Sequence, residues 1–353
     1  MFKYPRKNED RAMEIHNEAF VFDIHSDTPC DLVKKRFLGE DHVLEKYYLE
    51  NWEKGGLDGI VFSTMAQLNH YPTYFGNFTE GGLNYIDCTC REAEECPDHL
   101  SLCFETKDLV RSKADGRISI ILGFEGAEPI GNNLANLRMF YRLGLRVLQL
   151  TWNQRNQVCD GIAEKSNAGL SNFGVDVVKE CNELGIVIDI SHISTQGFLD
   201  VMDLSKDPII VSHTASYRVH NHPRNLTDEQ IKMVAEKGGV VGIAFFPYFI
   251  KGRKPVLKDV CKHIEHMVDL VGTDHIALGP DFMDYCLDRM LPELQQVKLK
   301  EYSNPGSYPE GAEDVTKLPN ITRSLVAMGY SDREIENILG ENFINVLRKV
   351  IDK

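Results

Sequence analysis

Eight short apolar runs, continuous rather than alternating, constrain this chain more than any other feature. They fall at residues 19–27, 57–66, 118–126, 145–153, 185–194, 208–216, 238–246 and 275–283. A strand buried on one face alternates apolar and polar side chains. A strand covered on both faces does not, and that is the pattern of parallel sheets. Helical patterns fill most of the intervals. "NLANLRMFYRLG", "NFGVDVVKECNELG" and "LKDVCKHIEHMVDLVG" each end on glycine, and "TDEQIKMVAEKGG" opens with Thr227 and Gln230 in capping-box spacing. Repeated strand–helix units connect right-handedly. Eight of them in 353 residues predict a closed (β/α)8 TIM barrel. A doubly wound open sheet is the main competitor. It calls for a glycine-rich turn after the first strand, and "DIHSDTPCD" is not one.

The chain reads as a single domain, 1–353, with no repeat and no linker. Residues 69–98, rich in Gly, Asn and aromatics, read as an inserted loop that could lie over the site. Residues 285–353 read as a wandering segment followed by closing helices. Net charge is −14, from 39 basic and 53 acidic residues. That disfavours nucleic acid and anionic membrane surfaces as partners. No stretch reaches the ~20 apolar residues of a membrane span. The charged N-terminus has no apolar signal core, so a cytoplasmic protein is expected. Nine scattered cysteines without a Cys-x-x-Cys pair argue against a zinc ribbon. The group from Cys88 to Cys103 offers metal ligands, although reduced thiols are the simpler reading.

Barrel enzymes carry their chemistry at the C-terminal ends of strands. His25 and Asp27 stand at the end of the first run, Glu125 at the third, His192 at the fifth, His213 at the sixth and Asp281 at the eighth. Each has a dull reading alone. His192 suits a hydrogen-bonded core histidine, Glu125 a helix cap, Asp281 a turn. Six ligand-type residues on five strand ends are harder to dismiss. In a strand His25 and Asp27 share a face. Three imidazoles and three carboxylates suit two divalent ions, with zinc favoured over manganese, cobalt or iron. Two ions ~3.5–4 Å apart share a water and lower its pKa, which points to hydrolysis of an amide or ester. Neither a P-loop nor a G-x-S-x-G elbow occurs.

At these residues the chain resembles the membrane (renal) dipeptidase family of zinc metallopeptidases, within the amidohydrolase-like barrels. The likeness runs through "FDIHSDTP", "GFEGAEPIG", "LQLTWNQRN", "GIVIDISHIS", "VSHTASYRVHNHPRNLTDEQI", "GPDFMD" and "LGENFINVL". The resemblance implies two Zn2+ ions per chain. His25 and Asp27 would bind one and His192 and His213 the other, with Glu125 and a water bridging both. It gives Asp281 the role of proton shuttle and Arg224 that of gripping a dipeptide's carboxylate. Mammalian members carry a histidine, thought to steady the oxyanion, where this chain has Trp152. Trp152, Asn153 or a zinc would then support the transition state, or Trp152 is a stacking or core residue. A small dipeptide substrate, tolerance of a D-residue at its C-terminal position and a homodimer are implied in the same way. The rivals are another amidohydrolase (an N-acyl-D-amino-acid deacylase or lactonase) and a non-catalytic metal-binding protein of the same fold.

Overall fold

The computed structural model describes residues 6–65, 77–283 and 307–353. Its strands are β1 (Phe22–Ser26), β2 (Gly59–Met65), β3 (Leu100–Leu102), β4 (Ile118–Glu125), β5 (Leu145–Gln149), β6 (Val187–Asp189), β7 (Ile210–Thr214), β8 (Val240–Ile243) and β9 (Ile276–Leu278). All pair in parallel. The ring runs β1-β2-β4-β5-β6-β7-β8-β9 and closes where Asp23 of β1 meets Leu278 of β9. These eight strands are the eight apolar runs, and the fold is the (β/α)8 barrel. The short strand β3 was not anticipated. It pairs with Ile118–Ile120, a stretch of β4 whose β2-side edge is already taken and which β5 does not reach until Leu122.

The interior of the ring is aliphatic. Ile24, Val61, Ile121, Val147, Val187, Ile210, Val240 and Ala277, one from each strand, join in one buried cluster. The helix Asn342–Ile351 seals this cluster at the N-terminal end of the barrel with Phe343, Ile344, Leu347 and Val350. Phe343 meets Phe22 edge to face at 5.0 Å, a favoured aromatic geometry. The "GENF" stretch makes this seal possible. Gly340 lies where any Cβ would strike the Phe20 carbonyl, and the Asn342 amide donates to the carbonyls of Thr273 and Ile276 at 2.7 and 2.8 Å. A larger buried cluster lies between the strands' outer faces and the surrounding helices.

The helices follow their sequence signals. Asn172–Leu184 stops at Gly185 in the left-handed region, φ 77. Asp228–Glu236 begins with the Thr227–Gln230 capping box. The reading of 69–98 as a loop is corrected from residue 77 on. Phe78–Glu95 is an 18-residue helix, capped by the Asn77 side chain. Its glycines hid it, since glycine lowers helix propensity. Gly82 is needed for contact, because a Cβ there would sit 3.0–3.1 Å from Pro129, Phe124 and Phe140. Residues 69–76, like 284–306 of the wandering segment, lie outside the described residues. The closing helices are Leu318–Met328 and Asp332–Ile351, the second interrupted by a π turn at Asn337–Glu341.

Close backbone approach also governs the mouth. A Cβ on Gly242 or Gly279 would fall inside the envelope of the Ser212 carbonyl. Gly242→Ala should therefore destabilise the fold by roughly 1–3 kcal/mol. Urea denaturation checks this, and an unchanged midpoint would contradict the packing described.

Candidate metal centre

Two strands are bulged at the mouth. Between Asp23 and Ser26, β1 gains a residue against β2, and between Val211 and Thr214, β7 gains one against β8. A bulge re-aims the side chains it carries. Without it, strict alternation would place His25 and His213 opposite the inward-facing Ile24 and Ile210. The strand alternation expected to pair His25 with Asp27 is thus replaced by a bulge and a helix start, since β1 ends at Ser26 and Asp27 caps the helix Thr28–Phe37. His192 and Asp281 follow their strands in the left-handed region, with φ of 62° and 59°. Such backbone costs on the order of 1–3 kcal/mol per residue and gathers at functional sites.

These devices converge on Glu125 at the end of β4. Its Oε1 lies 3.2 Å from His192 Nε2 and 3.7 Å from both His25 Nε2 and His213 Nε2. His25 Nε2 is 3.8 Å from Asp27 Oδ1. Two donor groups of cation-binding dimensions result, Glu125–His192–His213 and His25–Asp27–Glu125, with Glu125 in both. All five residues are buried. His25, Asp189 and His213 form a third such group, but Asp189 Oδ1 accepts the backbone N–H groups of Ser191 and Ser212 at 2.9 and 3.1 Å.

The far side of each imidazole is committed. The Asn153 Oδ1 lies 2.8 Å from His192 Nδ1. The Ser212 hydroxyl lies 2.9 Å from His213 Nδ1 and 3.3 Å from His25 Nδ1. With Nδ1–H donating outward, every Nε2 turns a lone pair to the centre, as in metal-binding histidines. His192 and His213 then face each other, Nε2 to Nε2, at 2.7 Å. Two lone pairs at that distance repel unless a proton or a cation stands between them. His25 Nε2 and Glu125 Oε2 are buried and take part in no hydrogen bond among the described residues, a heavy desolvation cost for a polar atom without a ligand. Nitrogen and oxygen donors 3.2–3.8 Å apart match the ~3.3 Å edge of a tetrahedron with ~2.0 Å arms. The residues fit divalent ions.

Electrostatics agree. Burial pushes His25 down to about 3, helped by the Arg224 charge, and holds His192 and His213 well below the usual histidine range. The imidazoles are neutral ligands at ordinary pH. Burial pushes Asp27 up to about 7 and Glu125 and Asp281 well above the carboxylate range, with mutual repulsion adding to the latter two. Bound cations would reverse that repulsion.

The remaining expected residues are placed as follows. Asp281 is buried near Glu125 and Asp27, outside the three-donor groups, and its carbonyl accepts the Tyr308 hydroxyl. Arg224 donates to the His213 carbonyl at 3.2 Å, lies 5.1 Å over the Phe249 ring, and with His192 lines a cavity of about 170 Å3. Trp152 is buried with its ring centre 6.0 Å from that of His192. Asn153, expected at the substrate, has its Oδ1 2.8 Å from His192 Nδ1. Sequence reasoning missed Ser212 and Asp189. Both lie inside the quoted motifs, but their role under the imidazoles depends on contacts between strands.

A parallel barrel whose mouth presents buried, shared metal donors is the class that fold and site define. The chain belongs to the membrane dipeptidase family, peptidase family M19, whose model matches residues 9–298 and 300–352. The family implies a metal cofactor. The chain is 31% identical over 271 residues to "Dipeptidase tcpJ" of Claviceps purpurea, covering 76% of this chain and 59% of that protein. It thus spans about six-tenths of that relative's length. A solved amidohydrolase from Pseudomonas aeruginosa is 26% identical, with TM-score 0.83 over 97% of this chain and 99% of that one. A Rhodobacter sphaeroides metallo peptidase, solved with a phosphinate mimic of the dipeptide L-Ala-D-Ala, is 25% identical with TM-score 0.80, over 94% and 99%. Among the described residues no helix is long and apolar enough to cross a membrane.

Asp27 supplies a pH test. Raised from ~3.9 unfolded to about 7 folded, it binds more protons folded than unfolded between those values. Its stabilising contribution is complete below ~pH 4 and is lost as pH rises through about 7. Metal-stripped Asp27→Asn should be more stable than the parent at pH 8, on the order of a few kcal/mol, and nearly equal to it at pH 4. Urea denaturation in chelator measures the difference. A gain confined to low pH would mean that the carboxylate is ionised in the metal-free fold.

Proposed function

We propose that the chain is a binuclear zinc dipeptidase. The facing Nε2 atoms of His192 and His213, with Glu125 common to two donor groups, carry this reading. His25, Asp27 and Glu125 would hold one Zn2+, and Glu125, His192 and His213 the other. Ions held there lower the pKa of a water between them and polarise the substrate carbonyl. Glu125, common to both donor groups, would be shared between the two ions. Asn153 and Ser212 orient the imidazoles so that the ligand atoms need no rearrangement during the reaction.

Asp281 has the burial and position of a proton carrier. Burial and the nearby Asp27 and Asp23 raise its affinity for a proton, so its carboxylate form would take one from the attacking water and deliver it to the leaving amine. Arg224, fixed over Phe249 beside His213, offers a planar guanidinium to a dipeptide's free carboxylate. A D-residue at the C-terminal position is supported by the ligand of the Rhodobacter relative. Trp152, packed beside His192, closes the wall rather than supplying the charge that a histidine would.

Arg224→Met should raise KM for dipeptides at least tenfold with a smaller change in kcat. An unaltered KM would point to a substrate without that carboxylate, such as a lactone. Asp281→Asn should lower kcat by roughly 10²–10⁴-fold while retaining bound metal. Metal analysis of purified protein should find at least two zinc equivalents per chain, with fewer in His192→Ala. Metal-replete protein that cleaves no L-L, L-D or D-D dipeptide would end the dipeptidase reading.

A further inference from the structure

A second group of ligand-type side chains lies at the other end of the barrel. His42, Glu45 and Cys96 bring their donor atoms within 4.8 Å of one another. His42 Nδ1 is 2.9 Å from Glu45 Oε2, and Cys96 Sγ is 3.5 Å from that oxygen and 3.9 Å from that nitrogen. The chain leaves β2 at the mouth, and the helix Phe78–Glu95 returns it to the N-terminal end of β3. Cys96 closes that helix. The group is therefore remote from Glu125.

We propose that His42, Glu45 and Cys96 form a third divalent-cation site, for a zinc-like ion with one coordination position open to solvent. Tetrahedral coordination with ~2.0 Å arms to nitrogen and oxygen and a ~2.3 Å arm to sulfur gives ligand separations of ~3.3 and ~3.5 Å. Each observed separation is within ~0.4 Å of these. The donor set, one imidazole, one carboxylate and one thiol, is of the borderline-soft kind that zinc and cobalt take. His42 and Glu45 side chains are 39% and 51% exposed, leaving room for a water as fourth ligand. The thiol is buried.

The scaffold beneath is fixed. Buried Arg36 makes a fork to Glu95 at 2.6 and 2.8 Å and reaches Glu92 at 3.0 Å. Those two carboxylates accept the backbone N–H groups of His42 and Leu44 at 3.0 and 2.8 Å. The two ligand-bearing segments are thus held in register before any ion arrives. His42 also sits in the left-handed region, φ 48, uncommon for a residue with a Cβ. Glu45, Glu92 and Glu95 surround the thiol with negative charge, which a cation relieves. Binding releases the thiol proton to solvent as the sulfur–metal bond forms, with no redox change. An ion there would tie the β1–β2 connection to the β2–β3 connection at the end of the barrel opposite the chemistry.

Cobalt titration of the full chain tests this independently of the dipeptidase reading, because the mouth's donor set contains no thiol. By three Co2+ equivalents per chain, enough to fill the mouth as well, a sulfur-to-cobalt charge-transfer band should appear. Cys96→Ser should abolish it, and His42→Gln, at an exposed position, should weaken binding at least tenfold. No such band in the parent would overturn the proposal. So would a band that persists in Cys96→Ser or is unmoved by His42→Gln. Dipeptide turnover has no bearing on any of these outcomes.

Discussion

Two imidazole nitrogens face each other at 2.7 Å inside a buried cup of carboxylates, and the architecture of the mouth answers to that crowding. Three acids and three histidines without water around them repel, compete for protons and lose hydration. Divalent charge turns every one of those penalties into attraction. Burial of those groups pushes the carboxyls up and the histidines down.

Holding such a cluster requires backbone that regular strands do not provide. The bulges in β1 and β7 turn His25 and His213 to the centre, and left-handed residues deliver His192 and Asp281. Asn153 Oδ1 accepts from the Nδ1 side of His192, and the Ser212 hydroxyl contacts the Nδ1 atoms of His213 and His25, leaving each Nε2 toward the centre. Gly242 and Gly279 let neighbouring chain approach the Ser212 carbonyl. The cost is borne by the other end. There one aliphatic side chain per strand and the Phe343 helix form a cluster with no buried charge. Strain at the mouth persists because packing below over-determines it.

The division of the barrel into a reactive end and a stabilising end gives the His42–Glu45–Cys96 group its context. Ligands opposite the mouth act on the fold's cohesion, through two connections that the Arg36–Glu92–Glu95 network already joins. The donors at the mouth belong instead to the proposed dipeptidase site. The two sets differ in chemistry as well as position, since only the first includes sulfur.

Much of this was legible in the chain itself. Continuous apolar runs at strand length, with helical patterns between, determine a parallel ring because only strands covered on both faces read that way. Polar residues at the ends of those runs name the candidate donors His25, Asp27, Glu125, His192 and His213, since a parallel barrel gathers all its strand ends at one mouth. What the sequence could not decide depends on contacts between segments far apart in it. Gly82 of the helix Phe78–Glu95 lets Phe124, Phe140 and Pro129 pack closely, a role that only their approach in space reveals. The third strand exists because part of one edge of β4 is otherwise unpaired. Asn153 reaches His192 because the ends of β5 and β6 lie side by side, and Ser212 serves His25 as well as its chain neighbour His213 because the closed ring brings β1 and β7 within 3.3 Å across the mouth. Local pattern fixes which residues are extended, helical or turned, whereas register and close approach between elements, invisible in one dimension, fix what each side chain touches.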